Sequence, residues 1–133
     1  MTQINYQVIN ELATLVHNNN VEAGWWTDPF TKQDLRGCDE FGRPLRDTLN
    51  LLMLIVTEIA EAAEGVRKNL MDDKLPHRSM LEVELADAII RALDLAGARG
   101  LDLGGAIEEK LNFNKTRPDH QLANRLKADG KKC

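Results

Sequence analysis

Two stretches of this chain repeat apolar residues with a helical period and carry acids inside the apolar stripe. In residues 48–70 the stripe reads Leu51, Leu54, Ile55, Glu58 and Ala62, with an apolar run from Leu51 to Val56 leading into Glu58. In residues 79–98 Glu84 and Asp87 stand within Met80-Leu81-Glu82-Val83-Glu84-Leu85-Ala86-Asp87-Ala88-Ile89-Ile90. The period predicts two amphipathic helices. A carboxylate on a core-facing stripe carries a large desolvation cost unless a cation or partner compensates it. Acids three residues apart on a helix also repel one another. The chain must therefore fold so that these helices meet around a compensating group.

The remaining punctuation predicts an all-α fold of four to five helices in one domain, residues 1–133. A first helix is expected over about Ile4–His17, with Val8, Leu12, Leu15 and Val16 on its inner face and Asn18-Asn19-Asn20 ending it. Residues 21–46 hold Gly24, Pro29, Gly37, Gly42 and Pro44 and read as a long irregular loop carrying Trp25, Trp26 and Phe30. Loops of that length inside a compact domain tend to be functional. Asp47 is a fitting N-cap for the second helix, which should run to Leu70. Ser79 and Glu82 form a capping-box pattern for the third, which should stop at Gly97–Gly100. Asp102 caps a fourth helix to about Asn114, and Pro118 opens a short fifth in a basic tail, residues 118–133. Short connections make neighbouring helices antiparallel. The second and third should then form a hairpin around a turn at Met71–Arg78, with Glu58, Glu61, Glu84 and Asp87 near one level.

Charge narrows the partners. The net charge of −4 divides into −3 over residues 1–57, −6 over residues 58–109 and +5 over residues 110–133. Nucleic-acid binding needs a broad basic face, which this distribution lacks. An acidic middle beside a basic tail suits cations on the acids and phosphate on the bases. The longest apolar run, Leu51–Val56, is too short to span a bilayer, and Met1–Asn5 carries no basic leader, so no membrane partner and a cytoplasmic protein are expected. The two cysteines, Cys38 and Cys133, have neither disulfide-framework nor metal-type spacing.

Four carboxylates meeting without sulfur make a hard-cation site, which favours Mg²⁺, with Mn²⁺ as a substitute, over zinc. A di-iron bundle would place Glu-x-x-His pairs at such positions, and no His follows these acids at that spacing. Because Mg²⁺ usually binds together with substrate phosphates, the quartet points to phosphate-ester chemistry. An isolated E-x-x-E pair is commonplace on a solvated helix face; the apolar surroundings set these apart.

The order Glu58-Ile-Ala-Glu61, a gap of 22 residues, then Glu84-Leu-Ala-Asp87 resembles the MazG-like all-α nucleoside triphosphate pyrophosphohydrolases, which include dimeric dUTPases, dCTP pyrophosphatases and phosphoribosyl-ATP pyrophosphohydrolase. The likeness extends to Asn50 followed by the apolar run into Glu58, and to Lys110-Leu-Asn-Phe-Asn114-Lys-Thr-Arg117. It covers about residues 48–118, and more loosely 12–26, where His17, Trp25 and Trp26 resemble the base-binding His and Trp of the dCTPase branch. Two features depart from that branch: the Trp loop is longer, and Lys68 stands where a second base-stacking Trp is expected. Asp72–His77 and Arg117–His120 look more like phage-type members, one of which acts on purine dNTPs, so the resemblance leans toward dGTP or dATP.

What the resemblance implies is specific. Glu58, Glu61, Glu84 and Asp87 would bind Mg²⁺, with Glu58 and Glu61 the catalytic members and Glu58, in the most apolar setting, orienting or deprotonating water. Asn50, Lys110, Asn114 and Arg117 would hold phosphate or sugar. His17, Trp25 and Trp26 would hold the base. Glu64 is either a further ligand or solvated, and His77 and His120 are surface residues. The product pair would be a nucleoside monophosphate and pyrophosphate, from a homodimer or homotetramer. A different class of protein also fits these acids, a non-enzymatic assembly protein whose carboxylates pair with Arg67, Arg78 and Arg91 across an interface; so does the same fold acting on phosphoribosyl-ATP.

Overall fold

The structure is a computed structural model that describes residues 4–133; the reading of the chain start falls partly on residues 1–3, outside the described residues. Its elements are α1 Gln7–Glu22, α2 Thr48–Lys68, α3 Met80–Arg99, α4 Leu103–Thr116, a 3-10 turn Pro118–His120 and α5 Leu122–Arg125. No strand occurs among the described residues, only isolated bridges within loops. The fold is all-α, and none of its described helices is long and apolar enough to cross a membrane.

The helix ends follow their caps. Asp47 accepts from the Asn50 N–H at the start of α2, and Asp102 accepts from the Gly105 N–H at the start of α4. Ser79 and Glu82 close a reciprocal capping box on α3. Asn69 takes a left-handed conformation, φ 53°, so α2 stops at Lys68 and not at Leu70. The greater difference is in α1. Asn18–Asn20 do not end it; it continues to Glu22. Asparagine costs a helix only a few tenths of a kcal/mol, and here the Asn20 amide donates to Asp94 of α3 at 2.9 Å, a tertiary bond that spacing does not reveal.

Helix α3 is the shared partner. It packs against α2 on one side and α1 on the other, while α4 packs on α1. One core cluster joins Ala13, Leu93 and Ala96 with Ile9, Val16 and Leu103; a second joins Trp26, Leu51 and Leu95 with Val21, Leu54 and Ala98. The inner face of α1 is thus Ile9, Ala13 and Val16. Val8, Leu12 and Leu15, expected inside, are exposed. The reason is the closeness of the α1–α3 crossing: a Cβ on Gly97 would lie 2.6 Å from the Ala13 carbonyl oxygen, so small residues, not leucines, face each other there. The expected stripe of α2 does face inward, with Leu51, Glu58 and Ala62 all buried. Elsewhere large apolar residues stay exposed, among them Leu52, Val56 and Ile59 on α2 and Leu81, Leu85 and Ile89 on α3.

The connection between α1 and α2 is irregular but pinned. Asp28, Asp34 and Asp39 each accept backbone N–H bonds two to four residues on, forming local turns. Trp26 is 1% exposed and anchors the loop in the core.

Candidate functional site

The hairpin of α2 and α3 brings three acids together. Glu58 and Glu84 are buried and Asp87 is partly buried, and each offers an oxygen within 4.8 Å of the others. Glu61, one turn along α2, is exposed and lies on the wall of the same open cavity of about 710 Å³, together with Asp72, Lys74 and Arg91. The quartet named from spacing therefore shares one cavity, with Glu61 at its solvent side and outside the tight cluster.

The electrostatics are those of crowded carboxylates. Burial pushes the Glu84 carboxyl up to about 7, helped by a hydrogen bond with Glu58 and by the charges of Glu61, Glu58 and Asp87. Burial also raises Asp87, with the Glu58 charge adding and Arg91 opposing. Arg91 Nε donates to Glu58 Oε1. Glu84 and Asp87 form no ion pair among the described residues. An all-oxygen donor set, partly buried and short of positive charge, fits a hard divalent cation, with Glu58, Glu84 and Asp87 as its holders and Glu61 within the same cavity. Glu64 is engaged elsewhere, paired with Arg67 and Lys68 on the outer face of α2.

A second cavity, of about 230 Å³, shares Glu58, Asp87 and Arg91 with the first. Trp25, Arg46, Asn20 and Asp94 line its far end, and Leu51, Leu54 and Ile90 its sides. Asp94, buried on α3, organises that end. It accepts from His17 Nδ1 at 2.8 Å, Asn20 Nδ2 at 2.9 Å and Trp26 Nε1 at 3.0 Å. The Trp26 ring is met edge-on by His17 and covered by the guanidinium of Arg46. Of the three residues expected at a base, only Trp25 lies on the cavity wall. Trp26 and His17 stand behind it, because a buried indole N–H and imidazole N–H need an acceptor and Asp94 supplies it.

The remaining expected contacts are not assembled within one chain. Lys110, Asn114 and Arg117 line neither cavity. Lys110 lies over the Phe113 ring, Arg117 pairs with Asp119, and the side-chain oxygen of Asn114 is buried without a partner among the described residues. Asn50 sits exposed in the first turn of α2. The arginines considered for cross-interface pairing all find acids in their own chain: Arg67 meets Glu64, Arg78 meets Glu82 and Arg91 meets Glu58.

Spacing missed Asn20, Arg46, Asp72, Arg91 and Asp94. Arg91 and Asp94 carried a faint signal, being charged residues at one-turn steps from Asp87 on a core helix. Arg46 and Asn20 carried none, because a loop and a different helix bring them in. Compared with family models, curated proteins and solved structures, the chain matches none.

Proposed function

We propose that this chain is a Mg²⁺-dependent nucleoside triphosphate pyrophosphohydrolase of the MazG-like kind, acting on a dNTP. The observation that carries the reading is the convergence of Glu58, Glu84 and Asp87, from adjacent helices, on one cavity, with Glu58 and Asp87 also lining a second. The cation, Mg²⁺ or Mn²⁺ in its place, would neutralise the triphosphate and ease deprotonation of water. Glu58, Glu84 and Asp87 would hold it, with Glu61 on the wall of the same cavity as a further ligand. Glu58, buried and lining the smaller cavity with Leu51 and Leu54, would orient the attacking water or accept a proton from it. Water adds to phosphorus, and nucleoside monophosphate and pyrophosphate separate. Arg91, beside Glu58, stands where a phosphate oxygen would gain a charge-assisted bond.

The working unit in this reading is a homo-oligomer. Lys110, Asn114 and Arg117 line neither cavity that holds Glu58 and Asp87, and Leu52, Val56, Ile59, Leu81, Leu85 and Ile89 expose apolar surface that a second copy would cover. That same exposed surface favours the assembly-protein reading as the second choice.

One assay separates them. The purified protein is incubated with each dNTP and NTP in Mg²⁺, and pyrophosphate and monophosphate are measured, with Glu61→Gln and Asp87→Asn as controls. Metal-dependent pyrophosphate release, lost in both variants, is the expected result. Orthophosphate release refutes the cleavage position. No turnover, together with no thermal shift by nucleotide plus Mg²⁺, leaves the assembly protein.

A further inference from the structure

The smaller cavity holds two polar groups with unused hydrogen-bonding capacity. Arg46 lines it, its guanidinium centred 4.6 Å from the Trp26 ring, and its buried Nη1 has no acceptor among the described residues. Asn20 also lines it. The Asn20 amide nitrogen faces Asp94 at 2.9 Å, and since a carboxylate only accepts, the amide orientation is fixed and its oxygen has no donor among the described residues. One acid positions both groups: Asp94 accepts from Asn20 and from Trp26, and Arg46 rests on Trp26. The Arg46 side chain is only partly buried and donates no hydrogen bond among the described residues, so its accessible donors at the cavity wall are open to a ligand oxygen.

The dimensions suit a nucleoside. Asp87 and Asp94 both line the cavity from α3. At about 1.5 Å per residue they are about 10 Å apart along the helix. With phosphates at Glu58, Asp87 and Arg91, the base would lie toward Arg46 and Asn20. Trp25, 66% exposed at the rim, offers a ring face, and Leu51, Leu54 and Ile90 offer apolar walls.

We infer that the far end of this cavity selects a base by its lactam edge, Arg46 donating to the ring carbonyl oxygen and the Asn20 oxygen accepting from the adjacent ring N–H. The substrate class is then keto-base nucleotides, carrying guanine, uracil or thymine. The inference rests on the nucleotide reading of the acid cluster given above. Adenine and cytosine present an amino group where Arg46 needs an acceptor and a bare ring nitrogen where Asn20 needs a donor. Both sides of each contact are then left unpaired, which is how a polar site rejects a near-isostere.

The test is equilibrium binding of dGMP, dUMP, dTMP, dAMP and dCMP in Mg²⁺ by calorimetry, beside turnover of the matching triphosphates. At least one keto nucleotide should bind about 10-fold or more tightly than dAMP and dCMP. Arg46→Met keeps the apolar stem on Trp26 and removes the donor; it should bring that ratio close to one by weakening the keto nucleotides and relieving the unpaired contact with dAMP and dCMP. Arg46→Lys keeps the charge without the flat fork and serves if the first variant folds poorly. Binding of dAMP or dCMP as tight as the best keto nucleotide overturns the inference. So does an equal loss for all five nucleotides in Arg46→Met, which would place Arg46 on phosphate. A keto preference in binding with no turnover of any triphosphate retires the hydrolase reading and keeps this one; turnover without base preference does the reverse.

Discussion

Glu84 ties the metal reading to a measurable proton. Its folded-state pKa is raised to about 7 by burial and by Glu58, Glu61 and Asp87, above an ordinary carboxylate value of 4.5. Between those values the folded chain holds a proton that the unfolded chain has lost, so this group's contribution to stability falls as pH rises from the ordinary range toward 7. Melting in EDTA should show that decline, and Glu84→Gln should flatten it relative to wild type. Adding Mg²⁺ should reverse its direction in wild type, because cation binding displaces the proton. Asp94 gives a second test. Replacing it with Ala leaves the donors of His17, Asn20 and Trp26 unpaired. The expected loss is about 3 kcal/mol in urea unfolding, accompanied by a change in Trp26 fluorescence; a loss below about 1 kcal/mol would show that water replaces the carboxylate.

Among the helices, the decisive contact is the close crossing of α1 and α3. Gly97 meets the Ala13 carbonyl and the His17 side chain, so a methyl group there has backbone against it and no flexible end to displace. Gly97→Ala should cost about 1–3 kcal/mol through overpacking, despite the better helix propensity of alanine. An unchanged or raised melting temperature would mean that α1 moves away freely. Because His17 and Asn20 reach Asp94 from α1, the same substitution should also disturb the cavity end that holds Arg46.

At the scale of the whole molecule, the exposed apolar stripes of α2 and α3 set the expectation. Leu52, Val56 and Ile59 recur at helical steps, as do Leu81, Leu85 and Ile89. Sedimentation of the wild type should give a dimer or tetramer. Ile59→Glu combined with Leu85→Glu should shift it toward the 14.9 kDa monomer. If Lys110, Asn114 and Arg117 act on a neighbour's acids, that monomer should lose pyrophosphohydrolase turnover while still binding Mn²⁺. A monomeric variant with full turnover would place the whole site in one chain.

The all-α class, the caps at Asp47, Ser79 and Asp102, and the inward face of α2 were legible because helical periodicity and capping are local properties. The acids were legible for the same reason: Glu58, Glu84 and Asp87 interrupt apolar stripes, and a short turn between two helices forces them together. The outward turn of Val8, Leu12 and Leu15 was not legible, since it depends on Gly97 of another helix letting α1 approach on its small residues. The burial of Trp26 and His17 behind Trp25 was not legible either; it is decided by Asp94, far along the chain. Whatever depends on period and spacing is written in the order of residues. Which donor meets which acceptor across helices is settled only when the chain has packed, because each buried polar group takes the partner that packing brings within reach.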